Sequence, residues 1–233
     1  MSILPNTRGG YLELIIGPMF SGKTSRLLEI HKKCKISNIE CVIINHSSDN
    51  RYSNNATVLS HSKEKAPCIL LDNLYPIVNN MASEEQLDIT KQLCKSKVIL
   101  INEGQFFDDI KESVMLLVEQ YDKIVYVCGL DGDFKRATFG NLFTLIPLCD
   151  KIEKLPSLCK KCCNGNKAIF SHRTSKNLCQ KLIGGQDEYL PLCRKCYLEN
   201  NLTIHIPYTT GYTNNAPSKN MIDRNDKESF DLL

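Results

Sequence analysis

Gly17-Pro18-Met19-Phe20-Ser21-Gly22-Lys23-Thr24 follows the apolar run Tyr11-Leu12-Glu13-Leu14-Ile15-Ile16 and leads into Ser25-Arg26-Leu27-Leu28-Glu29-Ile30-His31. The run before it has the character of a buried strand. The segment after it reads as a helix with Leu27, Ile30, His31 and Cys34 on one face. A glycine-bounded loop ending in Lys-Thr, set between strand and helix, is the arrangement of a P-loop. Glycine lets the backbone curl until several N–H groups converge on one phosphate, and the helix N-terminus adds positive potential. In such a loop Lys23 reaches the β- and γ-phosphates, and the Thr24 hydroxyl binds Mg²⁺. The stretch predicts a nucleoside triphosphate site.

Outward from that loop, strands and helices alternate. Ile39–Asn45 is a second buried-strand candidate, followed by the polar loop Asp49-Asn50-Arg51-Tyr52-Ser53. Thr57–His61 and Cys68–Leu71 read as further short strands. Ser83 opens a helix, with Gln86 three residues on as in a capping box. Lys97–Ile101 is the clearest strand of the middle and ends in Asn102-Glu103-Gly104-Gln105-Phe106-Phe107. A helix over Ile110–Glu119 and a strand over Ile124–Gly129 continue the alternation, which predicts a mostly parallel α/β sheet with helices on both faces. Ligands of such sheets bind at the carboxyl ends of strands. The P-loop, Asn102-Glu103 and Leu130-Asp131 all fall there. Residues 1–10 read as a loose arm and 11–150 as the nucleotide-binding core. Composition changes near 150, marking residues 151–206 as a second, cysteine-rich domain, and the polar segment 207–233 reads as a disordered tail.

Composition narrows the class. The chain has 233 residues, 42% hydrophobic and 24% charged, as expected of a soluble protein with a real core. A net charge of +3 is too mild to argue for nucleic acid. No apolar run approaches the roughly 20 residues that cross a bilayer, and no basic segment precedes an apolar one as in an export signal. Of the 12 cysteines, Cys41, Cys68, Cys94, Cys128 and Cys149 stand singly in apolar segments, as small buried hydrophobes do. Together these features place the chain in a reducing, cytoplasmic setting, where clustered cysteines hold metal rather than form disulfides.

The clustered ones are Cys159-Lys160-Lys161-Cys162 and Cys193-Arg194-Lys195-Cys196. Four thiolates in two C-x-x-C pairs close a tetrahedral structural zinc site with no open position for catalysis. About thirty residues separate the pairs, more than the roughly 15–20 of a compact ribbon, so a long lobe projects between them. Cys163 and Cys179 compete as ligands, and a disulfide pair is the other reading of the same residues.

Phosphoryl transfer needs metal, held phosphates and an acceptor oxygen relieved of its proton. Glu103, just past a buried strand, suits the base, or alternatively a carboxylate holding water around Mg²⁺. Arg51 is either a phosphate contact or a surface charge. Phe134 and Phe139 either stack on a base or belong to the core. Ile183-Gly184-Gly185 brings backbone close to a ligand or forms a plain turn.

The joint order of G-P-M-F-S-G-K-T, D-N-R-Y-S, N-E-G-Q-F-F, L-D-G-D-F-K-R-A-T-F-G, C-K-K-C, I-G-G-Q-D-E-Y and C-R-K-C resembles the type II thymidine kinases, from about Gly10 to Tyr197. The resemblance implies a RecA-like P-loop core with a small zinc domain, and transfer of the γ-phosphate of ATP to the 5′-hydroxyl of thymidine. It implies that Gly17, Pro18, Met19, Phe20, Ser21, Gly22, Lys23 and Thr24 bind ATP, joined by Asp49, Asn50, Arg51, Asn102, Glu103, Gly104 and Gln105. Glu103 becomes the catalytic base, assisted by Lys23 and Arg51. Met19, Phe134 and Phe139 line the thymine pocket. Gln180, Lys181, Leu182, Ile183 and Gly184 match a lasso that bonds the base through main-chain groups, and Tyr189 its tyrosine. Cys159, Cys162, Cys193 and Cys196 match the zinc ligands, and Thr24 holds Mg²⁺ with ATP. A homotetramer inhibited by thymidine triphosphate is implied, with no nucleic-acid or membrane partner; for a viral chain the setting is the host cytoplasm.

One position departs from the family pattern. Asn102 stands where an aspartate helps to hold the Mg²⁺ hydration shell, which predicts weaker metal affinity with activity retained. Competing readings are a deoxyuridine or deoxycytidine kinase, a zinc-containing P-loop ATPase that binds nucleic acid, and a nucleotide-binding regulator without catalysis. The mild charge, with no basic stripe interleaved by aromatics, speaks against the ATPase.

Overall fold

Successive side chains of a strand point to opposite faces, and in the three central runs of this chain both sets are apolar but for the buried Glu13. Leu12, Leu14, Ile99, Ile101, Val125 and Val127 pack into one core layer. Tyr11, Ile15, Val98, Leu100, Ile124, Tyr126 and Cys128 pack into the other. A sheet apolar on both faces must be covered on both, as in doubly wound α/β folds. The computed structural model describes residues 9–49, 56–60, 63–83, 88–185 and 187–201, and it shows that architecture.

In chain order the elements are β1 (Tyr11–Gly17), α1 (Lys23–Ile36), β2 (Cys41–His46), β3 (Thr57–Leu59), β4 (Lys65–Pro67), β5 (Ile69–Leu71), α2 (Tyr75–Asn79), α3 (Asp88–Lys95), β6 (Val98–Ile101), α4 (Ile110–Met115), β7 (Ile124–Leu130), β8 (Lys151–Lys154), β9 (Ser157–Leu158), β10 (Lys167–Ala168), β11 (Phe170–Arg173), β12 (Tyr189–Leu192) and α5 (Arg194–Asn200). Six strands form one sheet in the order β5-β2-β6-β7-β1-β8, every pairing parallel. The first layer lies under α2, α3 and α4 through Leu74, Val78, Leu93, Ile110 and Val114. The second lies under α1, through Leu27, Leu28, Ile30 and Cys34, and under the β3–β4 hairpin through Val58 and Ala66. His31 is buried on the same helix face, as its spacing predicts, and burial lowers its pKa.

The composition step at residue 150 does not coincide with the end of the sheet. Lys151–Lys154 pairs in parallel with β1 as an edge strand. Its polar sequence suits that place because charges do the joining: Lys151 Nζ lies 2.8 Å from the buried Glu13 carboxylate and Lys154 Nζ 2.9 Å from Asp131. The hydroxyl of Tyr11 donates to the other Glu13 oxygen at 2.9 Å, so this buried carboxylate is partnered on both sides. Sequence periodicity also passed over α2, which is only five residues long. Its open N-terminal amides, those of Leu74 and Tyr75, are capped from a distance by the Asp109 carboxylate at 2.7 Å. Gln86 of the expected capping box, residues 1–8 of the expected arm at 1–10 and the whole expected tail at 207–233 lie outside the described residues.

Beyond β8 the chain builds a lobe from two small antiparallel sheets, β9 with β10 and β11 with β12, and from α5. Cys159, Ala168, Leu192, Cys196 and Tyr197 form its core.

Candidate active site

All six parallel strands point their carboxyl ends the same way, so the loops that follow them meet at one edge. After β1 the chain turns tightly under Leu155. A Cβ on Gly17 would come within 2.2 Å of the Leu155 carbonyl oxygen, so only glycine fits. Gly22 opens α1 with φ at 86°, a left-handed conformation costly to other residues. Between them Phe20 holds a left-handed φ of 63° despite its side chain, and the Ser157 hydroxyl donates to its carbonyl at 3.0 Å. The Met19 amide donates to the Ser171 hydroxyl of β11 at 2.9 Å. The loop is thus pinned from the lobe at two points. Lys23 is buried within it and donates to the Pro18 carbonyl at 2.7 Å.

The acidic side of the site starts where β6 ends. Asn102 follows the strand, and Glu103 takes a left-handed φ of 53°, the kind of local strain that gathers at functional sites. Gln105 aims the Glu103 carboxylate: its side-chain amide donates to Glu103 Oε2 at 2.6 Å while its oxygen accepts the Leu130 amide at 3.1 Å. Asn102 joins a polar chain. The Thr24 hydroxyl donates to Asn102 Oδ1 at 3.4 Å, Asn102 Nδ2 donates to Asn45 Oδ1 at 3.0 Å, and Asn45 Nδ2 donates to Asp49 Oδ2 at 3.2 Å. Cys128, buried beside Lys23 and Glu103, has its thiol pKa raised by that burial and plays no ionised part.

A cavity of about 680 Å³ opens between this edge and the lobe. Of the expected residues, Met19, Phe20, Ser21, Gly22, Lys23, Thr24, Asp49, Glu103, Gln105, Phe139, Leu182, Ile183, Gly184 and Tyr189 line it. Gly17, Pro18, Asn102 and Gly104 are not in its wall. Neither is Phe134, which packs behind Met19 and Tyr189. Gln180 turns away to donate to Asp133 Oδ2 at 2.8 Å and to the Thr138 carbonyl at 3.0 Å. Lys181 holds its ammonium 4.8 Å from the centre of the Phe106 ring. Asn50 and Arg51 lie outside the described residues. The site therefore unites the glycine-bounded loop after β1, a carboxylate and an apolar roof around one space.

A family model described as thymidine kinase matches residues 10–197. The chain belongs to the thymidine kinase family. Its likeness to individual members extends over most of its length. It is 36% identical over 196 residues to a thymidine kinase of Oryza sativa subsp. japonica, covering 84% of this chain and 69% of that protein. It is 37% identical over 192 residues to the thymidine kinase of vaccinia virus strain Western Reserve, covering 82% and 99%. Among solved structures, domain III of the Thermotoga maritima replication initiation protein DnaA aligns with 63% of this chain and 55% of that one at a TM-score of 0.37 and 16% identity. That likeness is too slight to bear on the fold, which the strand order establishes.

As a thymidine kinase family member, the chain also carries a cluster suited to a metal ion. The sulfurs of Cys159, Cys162, Cys193 and Cys196 all lie within 4.8 Å of one another. Cys162 Sγ is 3.5 Å from that of Cys193 and 3.2 Å from that of Cys196. Disulfide sulfurs sit about 2.05 Å apart, whereas ligands 2.3 Å from a tetrahedral zinc stand roughly 3.8 Å apart. The spacing fits a metal such as zinc and excludes disulfides within the set. Burial opposes ionisation of Cys159, yet the amides of Cys162, Cys193 and Lys161 lower its pKa, while the neighbouring thiols push those of Cys162 and Cys196 up. Cys163 and Cys179 are exposed and stand outside the cluster. The cluster reaches the site through α5: Tyr197, next to Cys196, donates its hydroxyl to the Phe134 carbonyl at 2.6 Å.

Three buried polar residues of the site escaped the motif reading: Asp133, Ser171 and Arg173. Asp133 accepts the amides of Lys135 and Ala137 at 2.8 Å and shapes the loop after β7. The signal for the other two is the two-residue period of Phe170-Ser171-His172-Arg173, in which Ser171 and Arg173 share the buried face. Among the described residues no helix is long and apolar enough to cross a membrane.

Proposed function

We propose that the protein transfers the γ-phosphate of ATP to the 5′-hydroxyl of thymidine. The observation that carries this reading is the shared cavity: Lys23 and Thr24, the Glu103 carboxylate and the segment Leu182–Gly184 all face it. In the proposed reaction the thymidine 5′-oxygen forms a bond to the γ-phosphorus as the bond to the β-phosphate oxygen breaks, and the proton of the hydroxyl passes to Glu103. Gln105 keeps that carboxylate aimed. Loop amides and Lys23 carry the charge of the phosphates. Thr24 and Asn102 are the side chains suited to hold Mg²⁺, which supplies charge neutralisation on the ATP phosphates when bound. The four-cysteine cluster is proposed to take zinc in a structural role.

Thymine offers one N–H and two carbonyl oxygens, which main-chain groups of the 182–184 segment are suited to pair. An apolar lid over the base also excludes water and so limits wasteful hydrolysis of ATP. Thymidine triphosphate presents the same base and a triphosphate, so it is proposed as an inhibitor that engages lid and loop together. The homotetramer remains a proposal, to be checked by light scattering.

The deciding experiment offers the protein ATP with thymidine, deoxyuridine or deoxycytidine, and separately with single-stranded DNA. Formation of thymidine monophosphate is the expected result. ATP hydrolysis stimulated by DNA, with no nucleoside consumed, overturns the reading.

A further inference from the structure

Among its described residues the loop 174–188 between β11 and β12 has no helix or strand of its own, yet carbonyl groups of the loop converge. Arg173, on the last position of β11, is 5% exposed. Its Nη1 donates to the carbonyls of Asn177, at 3.0 Å, and Cys179. Its Nη2 donates to the Gln180 carbonyl at 3.0 Å and the Tyr189 hydroxyl at 2.6 Å, and its Nε to that same hydroxyl at 3.2 Å. All five guanidinium donors are thereby used. The Tyr189 hydroxyl passes the pattern on by donating to the Leu182 carbonyl at 2.7 Å. Tyr189 can receive the guanidinium because it faces Arg173 directly in the β11–β12 register.

We propose that Arg173 is the positioning residue of the nucleoside lid, and that β11 couples this lid to the phosphate loop through Ser171. The proposal rests on the thymidine kinase reading for the identity of the nucleoside. Among the described residues no carboxylate pairs with this buried cation. Its charge rests on loop carbonyls and on two ring faces, Phe134 with a centroid 3.8 Å away and Tyr189 with one at 5.1 Å. A carboxylate partner would hold the guanidinium by itself. Carbonyl partners hold it only while the loop keeps one conformation, so the charge selects the loop. Arg173 does not itself line the cavity; it acts through the Tyr189 hydroxyl and, beyond it, the Leu182 carbonyl, and both of those residues do.

Ser171 lies two residues earlier and is buried on the same side of β11. It accepts the Met19 amide of the phosphate loop. One short strand therefore touches the loop for the triphosphate and the clasp of the lid at adjacent inward positions. A change in the Met19 peptide on nucleotide binding is felt two residues from the clasp.

The test uses the full-length, zinc-loaded protein and compares Arg173→Lys, Tyr189→Phe and Ser171→Ala with the unaltered chain. Lysine keeps the charge but offers three donors from one point and cannot span three carbonyls. Arg173→Lys is expected to raise the KM for thymidine by about tenfold to a hundredfold, the usual effect of unmaking buried charge-assisted hydrogen bonds, and to leave the KM for ATP within about twofold. Amide hydrogen exchange in peptides covering 174–188 is expected to quicken, with the melting temperature of the core unchanged. Tyr189→Phe reproduces the same exchange signature without disturbing the buried charge, and serves if Arg173→Lys fails to fold. A non-hydrolysable ATP analogue is expected to slow exchange in 174–188 in the unaltered chain and not in Ser171→Ala. Unchanged exchange in both clasp variants overturns the clasp, as does a uniform loss of both KM values and stability. Protection by the analogue in Ser171→Ala overturns the coupling. If the unaltered chain phosphorylates no nucleoside, the functional reading fails, while the exchange measurements still decide the clasp.

Discussion

The two walls of the cavity are held by opposite means. The wall built by the loop after β1 and the turn at Glu103 stands mainly on strand ends, with two side-chain pins from the lobe, Ser157 on the Phe20 carbonyl and Ser171 on the Met19 amide. The lid wall stands on side chains. The described residues of loop 174–188 carry no strand, and side chains tie them down: the Arg173 guanidinium, the Tyr189 hydroxyl and the Gln180 amide, in the lobe that holds the four-cysteine cluster. Backbone-built walls yield to substitution gradually, because a sheet spreads the loss over many contacts. A wall hung on a few polar groups fails when one is removed, since each leaves several buried carbonyls without a donor.

The sharpest way to break that comparison is to take the metal away. Chelation of the holo protein, or Cys196→Ser, is expected to abolish thymidine turnover while a fluorescent ATP analogue still binds. Structural zinc contributes on the order of 10 kcal/mol to the folding of small domains, more than a lobe core of this size can replace. Loss of α5 also frees Tyr197 from the Phe134 carbonyl. Equal loss of nucleotide and thymidine binding would show that the two walls fold as one unit, against the contrast drawn here.

Next in size is a change confined to the chemistry. Glu103→Gln keeps the shape of the site and is expected to lower kcat by roughly 10² to 10⁴, the usual worth of a general base, with thymidine binding by calorimetry little altered. Near-normal turnover removes Glu103 from that role. Gln105→Leu is milder. It withdraws the amide that aims the carboxylate, and is expected to lower kcat about tenfold, equivalent to roughly 1.4 kcal/mol, at an unchanged KM for ATP. A rise in KM with kcat intact would instead make Gln105 a binding residue.

The same contrast governs what could be read from the chain alone. Gly17 to Thr24, the strand before it and Asn102-Glu103 were legible because backbone-built sites leave local marks: glycines at forced conformations and polar residues just past apolar runs. The cysteine pairs were legible because metal ligands come at fixed spacing. Lys151–Lys154 was not recognised as a strand, because an edge strand tied by Lys151 to Glu13 and by Lys154 to Asp131 carries no apolar signature. Arg173 was missed for a related reason. A charged residue next to His172 and Thr174 reads as surface, and nothing local announces that carbonyls up to seven residues away will gather round it. Phe134 packs with Met19 and Tyr189, which line the cavity, without being part of its wall, a distinction that side-chain packing makes and a motif does not carry.

The smallest expected effect concerns Asn102, where the resemblance implies an aspartate. Asn102 here works as a relay, with its oxygen toward Thr24 and its amide on Asn45, whose own amide reaches Asp49. Aspartate at 102 would bring a charge next to Thr24 but would set an oxygen against Asn45 Oδ1. Relief requires Asn45 to turn its amide round, which gives up its bond to Asp49. Asn102→Asp is therefore expected to lower the Mg²⁺ concentration for half-maximal rate by no more than about tenfold, or 1.4 kcal/mol, because part of the electrostatic gain is spent on reversing Asn45. Combining it with Asn45→Ala, which removes the opposing oxygen, is expected to enlarge the shift. A Mg²⁺ titration that coincides for Asn102→Asp and the unaltered chain would place the ion's charge compensation elsewhere. Asp49 is then the carboxylate to replace next, because it already stands at the end of the same relay and lines the cavity.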